Sequence, residues 1–443
     1  MEDALVMPNN DFWIKDLNLA PKGTSELDTA MIEMVGLERA VEYFRDKRPL
    51  EGARITGCVT VTKETGIFIR ALKTLGAKVR WCSDNRYAIN DAVSATLATE
   101  GIPIFGVANQ SEEEYYKCMQ YAMRFLDEQK RYIGPTQIID DGADLTSYLV
   151  RYAPSYFDSV IGITEQTTCG INEVKRIITS SDQPPTAIIN INDAFAKKNF
   201  DNYYGVRESL IYALQKAIGL QFSGKNFIVY GYGPVGKGCL EAIKALGGHG
   251  FVVETDILKA VEAHMNGFII VSRKEALSIG QVFLTATGCV NVISKEEILQ
   301  MQDGAILCNI GHGNSEFDYL GILNSQVISK RQVNTHVMEL CLSSMKRVFI
   351  LCQGALVNMI AGPGNPPMVM SMTFISHLLA QMDIFNNPSK YSEPKIYECG
   401  EDFSRKVMRF VFPKIANKLY DLNEEQKLYL NFPEDLTEED HFL

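Results

Sequence analysis

The chain has 443 residues, 46% of them hydrophobic and 22% charged, with a formal net charge of −11. That is the profile of an ordinary globular protein long enough for about two or three domains. The acidic balance argues against binding a nucleic-acid backbone, which takes a basic surface. No uninterrupted apolar run reaches the ~18–20 residues of a membrane span. The start MEDALVMPNNDF has neither a basic lead nor an apolar signal core, so no membrane association is expected. Ten cysteines are scattered singly and none forms a CxxC pair. Neither a disulfide framework nor a metal site is expected, and a reducing cytoplasm is the simple reading. There are six histidines, and none precedes His249.

In chain order, residues 1–50 read as a helical lead-in, with Leu37, Val41 and Phe44 at helical spacing. From about 53 short apolar runs alternate with amphipathic stretches. ARITGCVTV is a strand, 63–75 a helix stopped by Gly76, AKVRWCS a strand, 91–100 a helix, then IPIFGV and PTQIIDDG. This is the rhythm of a parallel α/β sheet. A second such rhythm starts near 225, with GKNFIVY, GFVVETD, VFLTATG, AILCNIG and RVFILCQG as strands. An open parallel sheet is expected there, with its ligand cleft in the loops after the strands. PGNPPMVMS reads as a breaker, 372–385 as a helix, and the tail after about 415 as helical and then acidic. The fold class is therefore α/β, with two doubly wound parallel sheets.

Gly231, Gly233 and Gly236, with Pro234 and Val235 between them, form a G-x-G-x-x-G after the strand FIVY and at a helix start. The glycines permit a tight turn and a close approach of pyrophosphate to the helix N-terminus. Glu254 ends the next strand, where an acid accepts hydrogen bonds from ribose hydroxyls. A carboxylate there favours NAD over NADP, and nearby Lys259 tempers that preference.

The segments around the fingerprint are more specific. GARITGC (52–58), IIDDGADLT (138–146), GITEQTTCG (162–170), NFDNYYGVRESL (199–210), GYGPVGKGC (231–239), TATGCVNVI (285–293), CNIGHGNSEFD (308–318) and LVNM (356–359) keep their order and spacing. Together they resemble S-adenosylhomocysteine hydrolases, from about residue 35 onward. The resemblance implies a discontinuous substrate-binding domain (1–206 and 366–414), an inserted NAD-binding domain (207–365) and a C-terminal dimerisation arm (415–443). It also implies a homotetramer acting on a small adenine nucleoside. The family's reaction transiently oxidises the ribose 3′-hydroxyl, removes the C4′ proton, eliminates the C5′ group, adds water and restores the alcohol.

Carried over residue by residue, the resemblance implies Lys197, Asp201, Asn202 and His312 for the 3′-oxidation half, and Asp141 for acid–base work on the C4′–C5′ side. Thr62 and Glu64 match positions around the adenine. Thr167, Thr168, Cys169, Thr287, Asn309 and Asn358 fall in NAD-contacting segments, and Asn358 also in the substrate region with Met370. On the bare sequence Asp141 and Asp144 read first as turn or cap carboxylates, the commonest role of such residues, and Lys197 with Lys198 as a solvated pair.

Several family positions are changed. Thr60 stands where the family has a histidine handling the C5′ group, and a threonine carries no charge near neutral pH. Gln166 replaces a glutamate and cannot take a proton. Cys169 replaces a threonine, Val206 a cysteine, and Asp84 a cysteine at the far end of the substrate. Asn365 and Gly313 replace a gating histidine and phenylalanine, which implies a looser entrance. The arm's lysine–tyrosine motif is best matched by Glu438, Glu439, Asp440, His441 and Phe442, which reverses a charge near a pyrophosphate. The losses cluster at the C5′ end while the 3′-oxidation set stays. The expected activity is thus NAD-dependent chemistry on an adenine nucleoside with a changed substrate or outcome, such as dehydration. The alternatives are a true S-adenosylhomocysteine hydrolase and a non-catalytic NAD-binding regulatory relative.

Overall fold

A computed structural model describes residues 11–181, 184–325, 327–343, 346–420 and 422–431. The arm match at 438–442 lies outside the described residues. The chain forms two compact units, 1–197 with 370–443, and 198–369.

The first unit is built on seven parallel strands. Their spatial order is Ile396–Glu398, Ala187–Asn190, Gly162–Glu165, Gln137–Asp140, Arg54–Cys58, Lys78–Cys82 and Ile104–Phe105. The order reverses between Arg54–Cys58 and Gln137–Asp140, so the strand ends there diverge and leave a crevice. The helix Lys63–Thr74 follows the first strand, with Thr62 as N-cap accepting from Thr65 N at 3.2 Å. A hydroxyl cap of this kind contributes about 1 kcal/mol.

The helix expected over 372–385 spans Pro367–Asn386. It starts earlier because a proline in the first turn needs no N–H partner. Among the described residues this is the one helix long and apolar enough to cross a membrane, and most of it is buried in the protein. Its apolar residues Met372, Ile375, Leu378, Leu379, Met382 and Ile384 are core. Phe374 stacks on Phe68 with ring centroids 4.6 Å apart. Such a pair adds about 0.5–1.5 kcal/mol to the gain from burial alone.

The second unit carries eight strands in the order Ile269–Ile270, His249–Val253, Asn226–Tyr230, Val282–Thr285, Ala305–Asn309, Lys346–Leu351, Val337–Ser343 and Ser329–Asn334. Phe227 and Val229 enter one core and Ile228 and Tyr230 the other. The sheet is therefore buried on both faces, which is why FIVY reads as a continuous apolar run. The expectation of a parallel sheet needs correction at one edge. Val337–Ser343 pairs antiparallel with both of its neighbours, and Ser329–Asn334 closes the edge. That edge strand is exposed throughout and carries Lys330 and Arg331, so it lacks the apolar alternation that announces a strand.

Candidate functional site

In the second unit the helix Pro234–Ala245 starts directly after the glycine turn, with Pro234 in its first turn. Gly231 has φ +96°, and a Cβ on Gly236 would lie 2.0 Å from the Gly231 carbonyl oxygen. Nothing stands within 4 Å of where a Cβ on Gly233 would be. The turn therefore demands glycine at its ends and leaves open space in the middle for a phosphate. Val235 packs on the adjacent core. Glu254 accepts from the N–H groups of Tyr232 (2.7 Å), Thr255 (2.7 Å) and Asp256 (3.1 Å). Burial pushes its carboxyl up, but these donors and Lys259 outweigh it and hold the group below the usual range. It is therefore an ionised acceptor at neutral pH, and Lys259 itself is exposed.

The loops after the next strands are tied together by Glu316, which is fully buried. Its carboxylate accepts from Thr287 N (3.0 Å), Thr287 Oγ1 (2.7 Å), Gly288 N (2.8 Å) and His312 N (3.1 Å). Buried Asn309 donates to the carbonyls of Gly313 (2.8 Å) and Gly354 (3.0 Å) and accepts from Gly311 N (2.9 Å). Thr287 and Asn309 thus hold loop positions, and His312 sits on the loop they fix. Glu316 was not among the residues singled out from the sequence, where only its place in a loop motif could have marked it.

Asn358 donates to Ser209 Oγ at 3.2 Å and to Asn365 Oδ1 at 3.3 Å. Its own Oδ1 is buried without a hydrogen-bond partner. Asn365 in turn donates to the Asp201 carboxylate. The network brings Asp201, Ser209, Asn358 and Asn365 together, with Asn202 beside them in the helical segment Lys197–Gly205. An orphaned amide oxygen, an open glycine cradle and an ionised acid at the strand end fit NAD, whose amide, pyrophosphate and ribose hydroxyls supply the missing partners.

In the first unit Thr60, Thr62, Glu64 and Asp141 follow the carboxyl ends of the two strands that flank the switch point. Thr60 fills its place by donating to Asp84 Oδ1 at 2.7 Å, so two of the changed positions contact each other. Thr62 is spent as a helix cap. Glu64 is buried, and its Oε1 has no hydrogen-bond partner, with Lys63 Nζ 3.7 Å away. Burial raises its carboxyl against nearby hydrogen bonds and Lys63. An N–H donor such as an adenine amino group would complete it.

Glu165 gathers the neighbouring loops. It accepts from Gly142 N (3.0 Å), Ala143 N (2.8 Å), Thr167 N (2.8 Å) and Thr167 Oγ1 (2.6 Å). Thr167 is therefore a loop brace, Cys169 Sγ lies 3.3 Å from its hydroxyl, and Thr168 faces Asn192 at 3.2 Å and is exposed. Burial, then Asp140 and Asp141, push Glu165 well above the ordinary carboxylate range. Asp140 accepts from Leu145 N (3.2 Å), Thr146 N (2.8 Å) and Thr146 Oγ1 (2.7 Å), and burial pushes it up to about 7 despite them. Tyr115 donates to Asp144 and to the Asp84 carbonyl.

Asp141 is buried and accepts from Gln166 Nε2. On its other side Gln166 Oε1 is 3.0 Å from His377 Nε2, and His377 Nδ1 is 2.8 Å from Thr164 Oγ1. The sequence reading missed His377. It lies in an apolar helix 211 residues from Gln166, and no local spacing links the two. Lys197 is buried in this unit, and Met370 is half-buried at the start of the returning segment. Among the described residues no group of three His, Cys, Asp or Glu side chains could hold a metal ion.

Among solved structures the chain is similar to a dipicolinate synthase polypeptide from Bacillus halodurans. The match has 10% identity and a TM-score of 0.47, and covers 75% of this chain and 99% of that one. It is also similar to NAD+-bound 3-phosphoglycerate dehydrogenase from Entamoeba histolytica, with 14% identity and a TM-score of 0.41, over 78% and 99%. Neither likeness adds to the reading of the site. The family comparison does. Residues 11–154 match the model described as S-adenosyl-L-homocysteine hydrolase, and residues 202–364 that described as its NAD binding domain. The chain belongs to the S-adenosyl-L-homocysteine hydrolase family, with NAD as its cofactor.

Proposed function

We infer that the protein is an NAD-dependent enzyme acting on an adenine nucleoside by transient oxidation at C3′ and elimination across C4′–C5′, with a C5′ leaving group other than homocysteine. When bound, NAD supplies the hydride exchange at C3′. The observation that carries the reading is Asp141. Its carboxylate stands at the switch-point strand end and accepts from Gln166, a donor that cannot itself titrate. A carboxylate so held can take the C4′ proton, made acidic by the adjacent ketone. Glu64 is read as the adenine acceptor on the strength of its orphaned oxygen. Lys197, Asp201, Asn202 and His312 are read as the 3′-oxidation set.

The changed outcome rests on Thr60 and Asp84. They match the positions where the family has a histidine and a cysteine, and here a hydroxyl and a carboxylate are hydrogen-bonded to each other. Neither can protonate a thiolate leaving group as an imidazolium would. A homotetramer with the tail after 415 as its arm is part of the same reading.

The test mixes protein, NAD+ and adenine nucleosides bearing hydroxyl, thioether or homocysteinyl groups at C5′. Absorbance of the reduced nicotinamide and product mass are followed. Turnover of a nucleoside without a homocysteinyl group supports the reading. Homocysteine release as the fastest reaction would replace it with plain hydrolase activity, and no reduced cofactor and no product with any of the nucleosides would overturn it. Asp141→Asn is expected to keep cofactor reduction and to lose exchange of the C4′ proton with D2O.

A further inference from the structure

Asp141 ends a hydrogen-bonded chain whose direction can be worked out donor by donor. Gln381 Nε2 lies 2.9 Å from the Ile138 carbonyl and 2.9 Å from Thr164 Oγ1. The carbonyl can only accept, so the Gln381 nitrogen is fixed there, and it also donates to the Thr164 hydroxyl. The hydroxyl proton of Thr164 then goes to His377 Nδ1 at 2.8 Å. With Nδ1 an acceptor, the neutral imidazole carries its proton on Nε2 and donates it to Gln166 Oε1 at 3.0 Å. The Gln166 amide is thereby oriented with its nitrogen toward Asp141 Oδ2. Thr164, Gln166, His377 and Gln381 are all buried, and His377 and Gln381 are one helical turn apart on Pro367–Asn386.

We propose that His377 is a positioning residue for Asp141: held as the Nε2–H tautomer, it locks the Gln166 amide so that a donor always faces the Asp141 carboxylate. The proposal rests on the reading of Asp141 as the C4′ base. The reversed amide would put Gln166 Oε1 against the carboxylate, so His377 selects between an attractive and a repulsive contact. The chain also has a chemical consequence. Neither an amide nor a neutral imidazole fixed as a donor releases a proton, so a proton taken by Asp141 does not leave through this chain. The surroundings keep His377 neutral. Burial and then Lys197 lower its basicity to about 3, while Asp141 and His377 meet opposite ends of the Gln166 amide. A threonine at 60 and a glutamine at 166 then remain compatible with a working base at 141.

The test has two arms on the full chain with NAD bound. In the first, histidine-selective 15N labelling with long-range proton–nitrogen correlation reads the tautomer, with His377→Gln identifying the signal. A neutral Nε2–H form that holds from about pH 5 to pH 8 is expected. A His377 that titrates in that range, or carries its proton on Nδ1, overturns the proposal whether or not any nucleoside turns over. In the second arm, His377→Gln can still accept from Thr164 and donate to Gln166, whereas His377→Leu can do neither. The expected result is kcat within about threefold for Gln and reduced about 10–100-fold for Leu, with KM little changed. Equal activity of the two variants overturns it. Should His377→Leu not fold, the Gln variant and the tautomer decide. Failure of all nucleosides with the tautomer as expected strikes the functional reading and leaves the amide orientation standing.

Discussion

Each of the two units organises its loops around one buried glutamate, and the two differ in what surrounds it. Glu165 in the first unit and Glu316 in the second each accept from several N–H and O–H groups of adjoining loops. In each a glycine lies against the carboxylate. A Cβ on Gly170 would be 2.2 Å from Glu165 Cδ, and one on Gly311 would be 1.7 Å from Glu316 Oε1. The difference is charge. Glu165 has Asp140 and Asp141 as neighbours, and its carboxyl is driven well up. Glu316 faces a glycine-rich loop and the backbone of His312. Positioning is the same device in both units, and in the first it is combined with interacting carboxylates of the kind that proton chemistry uses.

The largest expected effect comes from removing either anchor. Glu165→Leu removes the acceptor of Ala143 N and of the Thr167 N–H and hydroxyl, at about 1–3 kcal/mol for each one left buried and unsatisfied. The expected outcome in thermal melting by circular dichroism is loss of the first unit's transition, with Glu316→Leu doing the same to the second. A Glu165→Leu protein melting within about 2 °C of the parent would remove one side of the comparison. Next is Gly236→Val, whose added Cβ meets the Gly231 oxygen. NAD affinity by calorimetry is expected to fall at least about 100-fold, roughly 3 kcal/mol, with melting of the first unit unchanged.

A smaller effect is in pH dependence, where the first unit holds two opposing groups. Asp140 is raised to about 7, so its stabilising contribution is full below about pH 4 and is lost as pH rises toward 7. His377 is lowered to about 3, so its contribution is present above about 6.5 and is lost as pH falls toward 3. On acidification from about pH 7 to about pH 4, Asp140→Asn is expected to lose more melting temperature than the parent, and His377→Gln less. The same slope in both variants would contradict the assignment. The smallest effect is Glu254→Ser, which removes an acceptor at the ribose position. A shift of about tenfold toward NADP in relative affinity is expected.

Much of the fold was legible because it is written in local spacing. Apolar runs bounded by glycine or polar turns marked most core strands, and the fingerprint marked the cofactor helix. What escaped was the exposed antiparallel edge, whose strand Ser329–Asn334 has no apolar face to show. The site was legible where residues near one another in sequence act together, as in the glycine turn with Glu254. It was not legible where partners come from distant segments. The gap at Thr60 turned out to hold a contact with Asp84, 24 residues away.

The sequence by itself determined the α/β class, the cofactor and the absence of any histidine before His249, because these depend on composition, period and short motifs. Only the tertiary structure decided what that absence means. Histidine is missing from the first 197 residues but not from the first unit, because the segment from Met370 returns to it and carries His377 into its core. A parallel sheet accepts helices from anywhere in the chain on its faces. The partner of Gln166 is therefore set by which helix covers the sheet, and no spacing along the chain encodes that choice.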